Sequence, residues 1–236
     1  GAWWLIFSLI PFYYLPSKKP RNKISKDIIT KGFKELKLVW IQIKLNIKLK
    51  QFLFAFFVYS TALQTVMLVA TYFGEEEIQW TNQSEKTIGL ILSILLIQIV
   101  AILGAFLAAK SSSRYGNIKT LIVINLIWGV LCLVAFFIKT PIQFYFVAAF
   151  VGLVMGALQP LSRSTFSKFM PETVDTTSYF SFYGVTEKIS IIIGMFLFGF
   201  IDQITGSMRN SILPFLFFFM LGAYLLLRIS KKFEIN

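Results

Sequence analysis

Glu187 and Lys188 stand side by side in the stretch FYGVTEKISIIIG (residues 182–194), between long apolar runs. Charges at such depth in a membrane segment cost ~2.5–3.5 kcal/mol each on insertion scales, so each needs a partner or a purpose. Adjacent helical residues point ~100° apart and do not pair along one face. Arg163, in ALQPLSRSTFSKFMPE (157–172), is the expected partner of Glu187. Lys188 is expected to snorkel toward the nearer interface. The bland account is an ion pair that fixes helix packing. The sharper account is a gate or a proton-carrying carboxylate, and the structural account is preferred because packing networks also use buried ion pairs. Uncharged polar residues are scattered through the same apolar runs: Tyr59, Gln64, Gln98, Asn125, Gln143 and Gln159. Singly, each is explained by hydrogen bonding between helices. Together, Tyr59, Gln64, Gln98, Asn125 and Gln159 are candidates to line a substrate cavity.

Other chemistry lacks its reagents. The chain has no His and one Cys, Cys132. A His base, a His-based metal site and an intrachain disulfide are therefore unavailable. No G-x-S-x-G elbow or Gly-rich phosphate loop is present. Enzymatic activity is not expected, nor a cofactor or metal.

The elements that position these residues are membrane spans. Of the 236 residues 56% are hydrophobic and only 14% charged, where a soluble domain carries about a quarter charged. Mean hydropathy is +0.72. Apolar segments cover roughly 1–15, 51–73, 87–109, 119–138, 141–161, 178–201 and 210–228. A helix needs ~20 residues to span a bilayer, and all but the first segment approach that length. The first reads as the end of a longer helix. Basic residues gather in 17–50, 110–119, 162–177 and the tail 229–236, while the alternate connections hold few and include Glu75-Glu76-Glu77. If all seven segments cross, every basic connection falls on one side. That is the positive-inside pattern, with a cytoplasmic C-terminus. The net charge of +12 is thus a matter of topology and does not point to nucleic acid.

Within the 17–50 linker, Ile29, Phe33, Leu36, Trp40, Ile43 and Ile47 recur every three or four residues. That spacing predicts one apolar helix face. Lysines fill the rest, so a basic amphipathic helix along the cytoplasmic interface is expected. Gly152-x-x-x-Gly156 permits close helix contact.

The motifs now make one pattern. Gln159–Ser164 reads Q-P-L-S-R-S, Pro171 closes the loop, Phe182–Lys188 reads F-Y-G-V-T-E-K, and Thr205–Arg209 reads T-G-S-M-R. These, with FFVYSTALQTVMLVATYFG (56–74) and LLIQIVAILGAFLAAKSSSRYGNIK (95–119), closely resemble the vacuolar-effluxer-like branch of the major facilitator superfamily. The resemblance implies an all-α integral membrane bundle. Residues 1–16 would be the end of the sixth span, 17–50 the cytoplasmic linker, and 51–228 the six-helix C-terminal half. Residues 51–138 and 141–228 would form two three-helix units of inverted topology. The superfamily loop signature G-x-L-A-D-R-x-G-x-[KR] falls at 109–119. Arg114 and Gly116 match it, while Ala109 and Ser113 replace its Gly and its acid. The charge latch of that loop is therefore weakened. Arg163, Glu187, Lys188, Arg114 and Gly116 are the expected gate and charge-network residues.

The resemblance implies a secondary transporter of small solutes, with amino acids as the substrate class, working by alternating access. Its partners would be the lipid bilayer and the missing N-terminal half. The Lys/Ile/Phe-rich composition points to a bacterial inner membrane. The alternative is a non-transporting sensor or scaffold on a permease fold, and a membrane enzyme ranks last.

Overall fold

The computed structural model describes residues 2–14, 28–172 and 175–233. The linker stretch 15–27, with Lys18, Lys19, Arg21, Lys23 and Lys26, lies outside the described residues, as does the end of the tail. The described residues form eight helices: α1 (Ala2–Tyr14), α2 (Ile28–Leu45), α3 (Ile47–Glu76), α4 (Gln83–Tyr115), α5 (Asn117–Phe137), α6 (Pro141–Phe169), α7 (Thr176–Thr205) and α8 (Met208–Phe233). Six of them, α3 to α8, are long and apolar enough to cross a membrane. At 13 residues, α1 is about 20 Å long, short of a ~30 Å hydrocarbon core.

The helices outrun the apolar segments, because hydropathy falls before helicity does. The stretch expected as a loop from 162 is the last two turns of α6. Two of its hydroxyls are satisfied within the helix: Ser162 Oγ donates to Leu158 O and Thr165 Oγ1 to Leu161 O, the i−4 bond by which a polar side chain is accommodated in a helix. The expected 110–119 loop shrinks to one residue. Gly116 turns the chain between α4 and α5 at φ +87°, a left-handed value that glycine adopts without penalty.

The expected amphipathic helix also ends sooner than its apolar spacing predicts. Val39 and Ile43 are buried and Trp40 stacks on Phe182 of α7, whereas Phe33 and Ile47 are exposed. The helical period does not carry through to Ile47, because Asn46 adopts an extended conformation and caps a new helix. Asn46 Oδ1 accepts from Leu49 N, and its Nδ2 donates to Phe169 O at the end of α6.

Packing repeats with a pseudo-twofold pattern. α3 packs on α7 and α8, α6 packs on α4 and α5, and α5 packs on α8. Exchanging α3–α5 for α6–α8 reproduces the same set. Three spans per unit leave the second unit inverted, which is the repeat geometry of secondary transporters. Small residues make the equivalent close contacts. Gly152 and Gly156 of α6 meet the α4 backbone at Ile97 and Ala101, and Gly104 of α4 meets Leu153. Gly194 of α7 meets Thr61 and Thr65 of α3 in the corresponding place. A methyl at any of these would press on its neighbour, so glycine sets the interhelical distance. Trp128 of α5 stacks on Phe219 of α8 at 5.3 Å.

The bundle has two unlike ends. One carries Lys48, Arg114, Lys119, Arg163 and Lys168; the other carries Glu75, Glu76, Glu77 and Glu85.

Candidate functional site

A cavity of about 300 Å³ lies between α3, α6 and α7. Gln64 reaches it from α3, Gln159, Ser162 and Arg163 from α6, and Tyr183 and Glu187 from α7. Both three-helix units therefore contribute to it. Glu187 lies eleven residues past Thr176, about 17 Å along α7 from the basic end. Arg163 lies six residues before Phe169, about 9 Å from the same end.

Glu187 Oε1 accepts a hydrogen bond from Gln64 Nε2 at 2.5 Å. A carboxamide donating to a carboxylate makes a charge-assisted bond, stronger than a neutral one. The expected Arg163–Glu187 ion pair is not formed in this state. The guanidinium of Arg163 sits 5.9 Å from the Tyr183 ring centroid. That ring is in turn stacked on Phe56 at 4.2 Å. The two charges share the cavity at different depths, roughly a turn and a half of helix apart. Spacing along one chain cannot reveal such a difference. Gln64, on another helix, is level with the carboxylate.

The other expected lining residues divide. Gln159 lines the cavity and its Nε2 contacts Met67 Sδ at 3.2 Å. Tyr59 is fully buried behind the wall, with its hydroxyl 2.7 Å from Ser162 Oγ. Ser162 spends its own proton on Leu158 O, so Tyr59 is the donor. Gln98 is exposed on α4 and does not reach this cavity. Asn125 is buried on α5, where its Nδ2 donates to Leu121 O, and it too is absent from the lining. Lys188 is exposed on α7 beside Glu187, outside the lining.

Two networks flank the site, one at each end of the bundle. At the basic end, Asn117 takes up the position where a charge latch was expected to be weakened. Its Oδ1 accepts from Ser112 Oγ at 2.6 Å and from Lys168 Nζ at 2.9 Å, and its Nδ2 donates to Thr165 Oγ1 at 3.0 Å. This ties the α4–α5 corner to the end of α6. Ser113, at the position of the missing acid, bonds only locally to Lys110 O, and Arg114 lies over the neighbouring Tyr115 ring.

At the acidic end, Arg209 reaches across the bundle. Its Nε donates to Glu77 Oε2 and its Nη2 to Glu77 O, both at 2.6 Å. Its Nη1 donates to Phe136 O and Ile138 O. These carbonyls belong to the ends of α3 and α5, where helix acceptors lack intrahelical partners and favour a cation. Neither network was read from the sequence. Arg209 was visible as the last residue of T-G-S-M-R and Glu77 as part of an acidic run, but they are 132 positions apart. Among the described residues, no three His, Cys, Asp or Glu side chains come together as a metal site.

Comparison with known proteins places the chain. The chain resembles a Bacillus subtilis protein described as the uncharacterized MFS-type transporter YxiO, with 27% identity over 98% of this chain and 52% of that protein. It is 30% identical to autophagy-related protein 22 of Vanderwaltozyma polyspora over 97% of this chain and 47% of the relative. The chain thus spans about half the length of these relatives. Among solved structures it is similar to the E. coli fucose:proton symporter, with a TM-score of 0.65, 18% identity, and coverage of 96% of this chain and 53% of that one. That likeness concerns the fold, a helical bundle of major facilitator type. A family model described as vacuole effluxer Atg22 like matches residues 1–233, and the chain belongs to that family.

Proposed function

We propose that this chain forms the C-terminal half of a secondary transporter that moves small polar solutes by alternating access. The observation that carries the reading is the polar cavity between α3, α6 and α7, with Glu187 bonded to Gln64 in mid-bundle. A polar pocket at that depth, formed where inverted repeats meet, is how secondary transporters hold substrate and coupling ion. The missing N-terminal half would complete the substrate path. The concentration of Lys and Arg at one end supports a cytoplasmic location for that end, in a bacterial inner membrane.

Amino acids are the proposed substrate class. The cavity offers a carboxylate, Glu187, and a guanidinium, Arg163, at different depths. A zwitterion could set its ammonium toward the first and its carboxylate toward the second. Arg163 is available for this because it rests on an aromatic face and forms no ion pair with Glu187.

Proton coupling is assigned to Glu187. The test is uptake of amino acids by the full-length protein in proteoliposomes, with and without an inward proton gradient. Glu187→Gln is expected to abolish gradient-driven accumulation while leaving substrate exchange intact. Loss of both, or of neither, removes Glu187 from the coupling role. No flux of any amino acid from folded protein would favour a sensor or scaffold on a permease fold.

A further inference from the structure

We propose that the basic end of the bundle holds a site for one anionic phospholipid, distinct from the solute cavity. Two adjoining hollows have the two halves of that ligand's chemistry. The first, about 390 Å³, is polar and receives Lys48 from α3, Lys119 from α5 and Lys168 from α6. Ser112, Asn117 and Thr165 add hydroxyl and amide groups. The second, about 470 Å³, is a groove with almost entirely apolar walls, lined by Leu107 of α4, Val123 and Ile127 of α5, and Leu153 of α6. Tyr115 and Lys119 belong to both hollows, so the two adjoin at these side chains.

Geometry and charge select the occupant. Leu107 and Val123 are exposed on spanning helices, so the groove faces a hydrocarbon medium in a bilayer and an acyl chain fills it. Three ammonium groups around the adjoining hollow match a phosphate, and basic pockets between spans at the membrane surface recognise anionic head groups. The α5 N-terminus adds to this. Gly116 precedes it and supplies no side-chain cap, which leaves amide donors where an anion would sit. A soluble phosphate satisfies the first hollow only. The shared rim at Tyr115 and Lys119 commits the site to a ligand with both a charged head and a chain.

The test is native mass spectrometry of the delipidated full-length protein in non-ionic detergent. It would be titrated with palmitoyl-oleoyl phosphatidylglycerol, with phosphatidylcholine of the same chains, and with glycerol 3-phosphate. A one-lipid adduct is expected at about tenfold lower phosphatidylglycerol than phosphatidylcholine, with no adduct from glycerol 3-phosphate in that range. The double variant Lys119→Gln/Lys168→Gln should bind the two lipids alike. Val123→Trp, which fills the groove from its exposed wall, should weaken phosphatidylglycerol binding with all three lysines in place. Equal binding of the two lipids by the unmodified protein would overturn the proposal. So would unchanged selectivity in the lysine variant, or glycerol 3-phosphate binding as well as phosphatidylglycerol. Should the lysine variant fail to elute as folded protein, Val123→Trp decides: unchanged phosphatidylglycerol binding refutes the groove.

Discussion

At the α7–α8 corner, Gly206 turns the chain at φ +62° and Arg209, three residues on, gathers Glu77 and the carbonyl ends of two helices. At the α4–α5 corner, Gly116 turns it at φ +87°, the residue three further on is Lys119, and the hub is the neutral Asn117. The two corners are counterparts under the exchange of the three-helix units, and they are the two places among the described residues where φ is positive. One is closed by a guanidinium whose side chain and Glu77 partner are each less than one-fifth exposed. At the other, Asn117 joins Ser112, Thr165 and Lys168 by hydrogen bonds. The repeat thus keeps a positive-φ glycine at each corner, while the turn (ψ 154° at Gly116, 23° at Gly206) and the chemistry that secures it differ. The acidic end is tied by the stronger, less hydrated bonds. At the basic end, nearer Arg163, the bonds around Asn117 are those of an amide and hydroxyls with one ammonium donor.

The largest effect should follow from breaking the strong corner. Arg209→Gln leaves Glu77 and three helix-end carbonyls without their cation, and removing one partner of a buried pair costs about 3–5 kcal/mol. Partial solvent access places the expected loss near the lower figure. Reversible unfolding of the full-length protein in mixed micelles would measure it, and a loss as small as that of a surface lysine would show that the corner is not closed by Arg209.

Asn117→Ala is the matching cut at the basic end. It removes three hydrogen bonds at a half-buried side chain, and a loss of about 1–2 kcal/mol is expected in the same assay. The asymmetry between the ends requires this to be smaller than the Arg209→Gln effect; equal losses would end the comparison. If the weaker corner opens during transport, the variant should also alter uptake rate more than it alters substrate affinity.

The smallest effects should come from the two corner glycines. Gly116→Ala and Gly206→Ala each place a Cβ in open space, with nothing within 4 Å. Gly206 has left-handed helical backbone, where a residue with a Cβ costs about 1 kcal/mol. Gly116, at φ 87° and ψ 154°, lies in a region essentially confined to glycine, so its variant should lose more. Equal losses would mean that the backbone at Gly116 relaxes into an ordinary conformation when a Cβ is added.

How far the sequence reaches can be seen in single residues. Six spans were legible because a chain crossing hydrocarbon must bury its backbone donors in helices and its charges elsewhere. Their ends were not, because hydropathy fails at Ser162 while helical hydrogen bonding runs on to Phe169. Gly152-x-x-x-Gly156 announced a close contact; that its partners are Ile97 and Ala101 of α4 needed the fold. Glu187 could be named as an anomaly from its surroundings alone. Its partner could not, because Gln64 is one of several glutamines in spans, and only depth and direction distinguish it from Gln98.

The chain by itself therefore determined the class of solvent, the number of long spans, the sign of charge at each end, and the short list of polar residues that need an explanation. These are properties of composition and order, and the bilayer enforces them one segment at a time. The tertiary structure decided which of those residues meet. Gln64 meets Glu187, Arg163 rests on Tyr183, Asn117 joins Thr165, and Arg209 closes on Glu77. Each pairing joins different helices, and the partners' registers are set by glycine contacts and capping residues. A contact between helices is a sum of two depths and two rotations, and no local stretch of sequence contains both members of that sum.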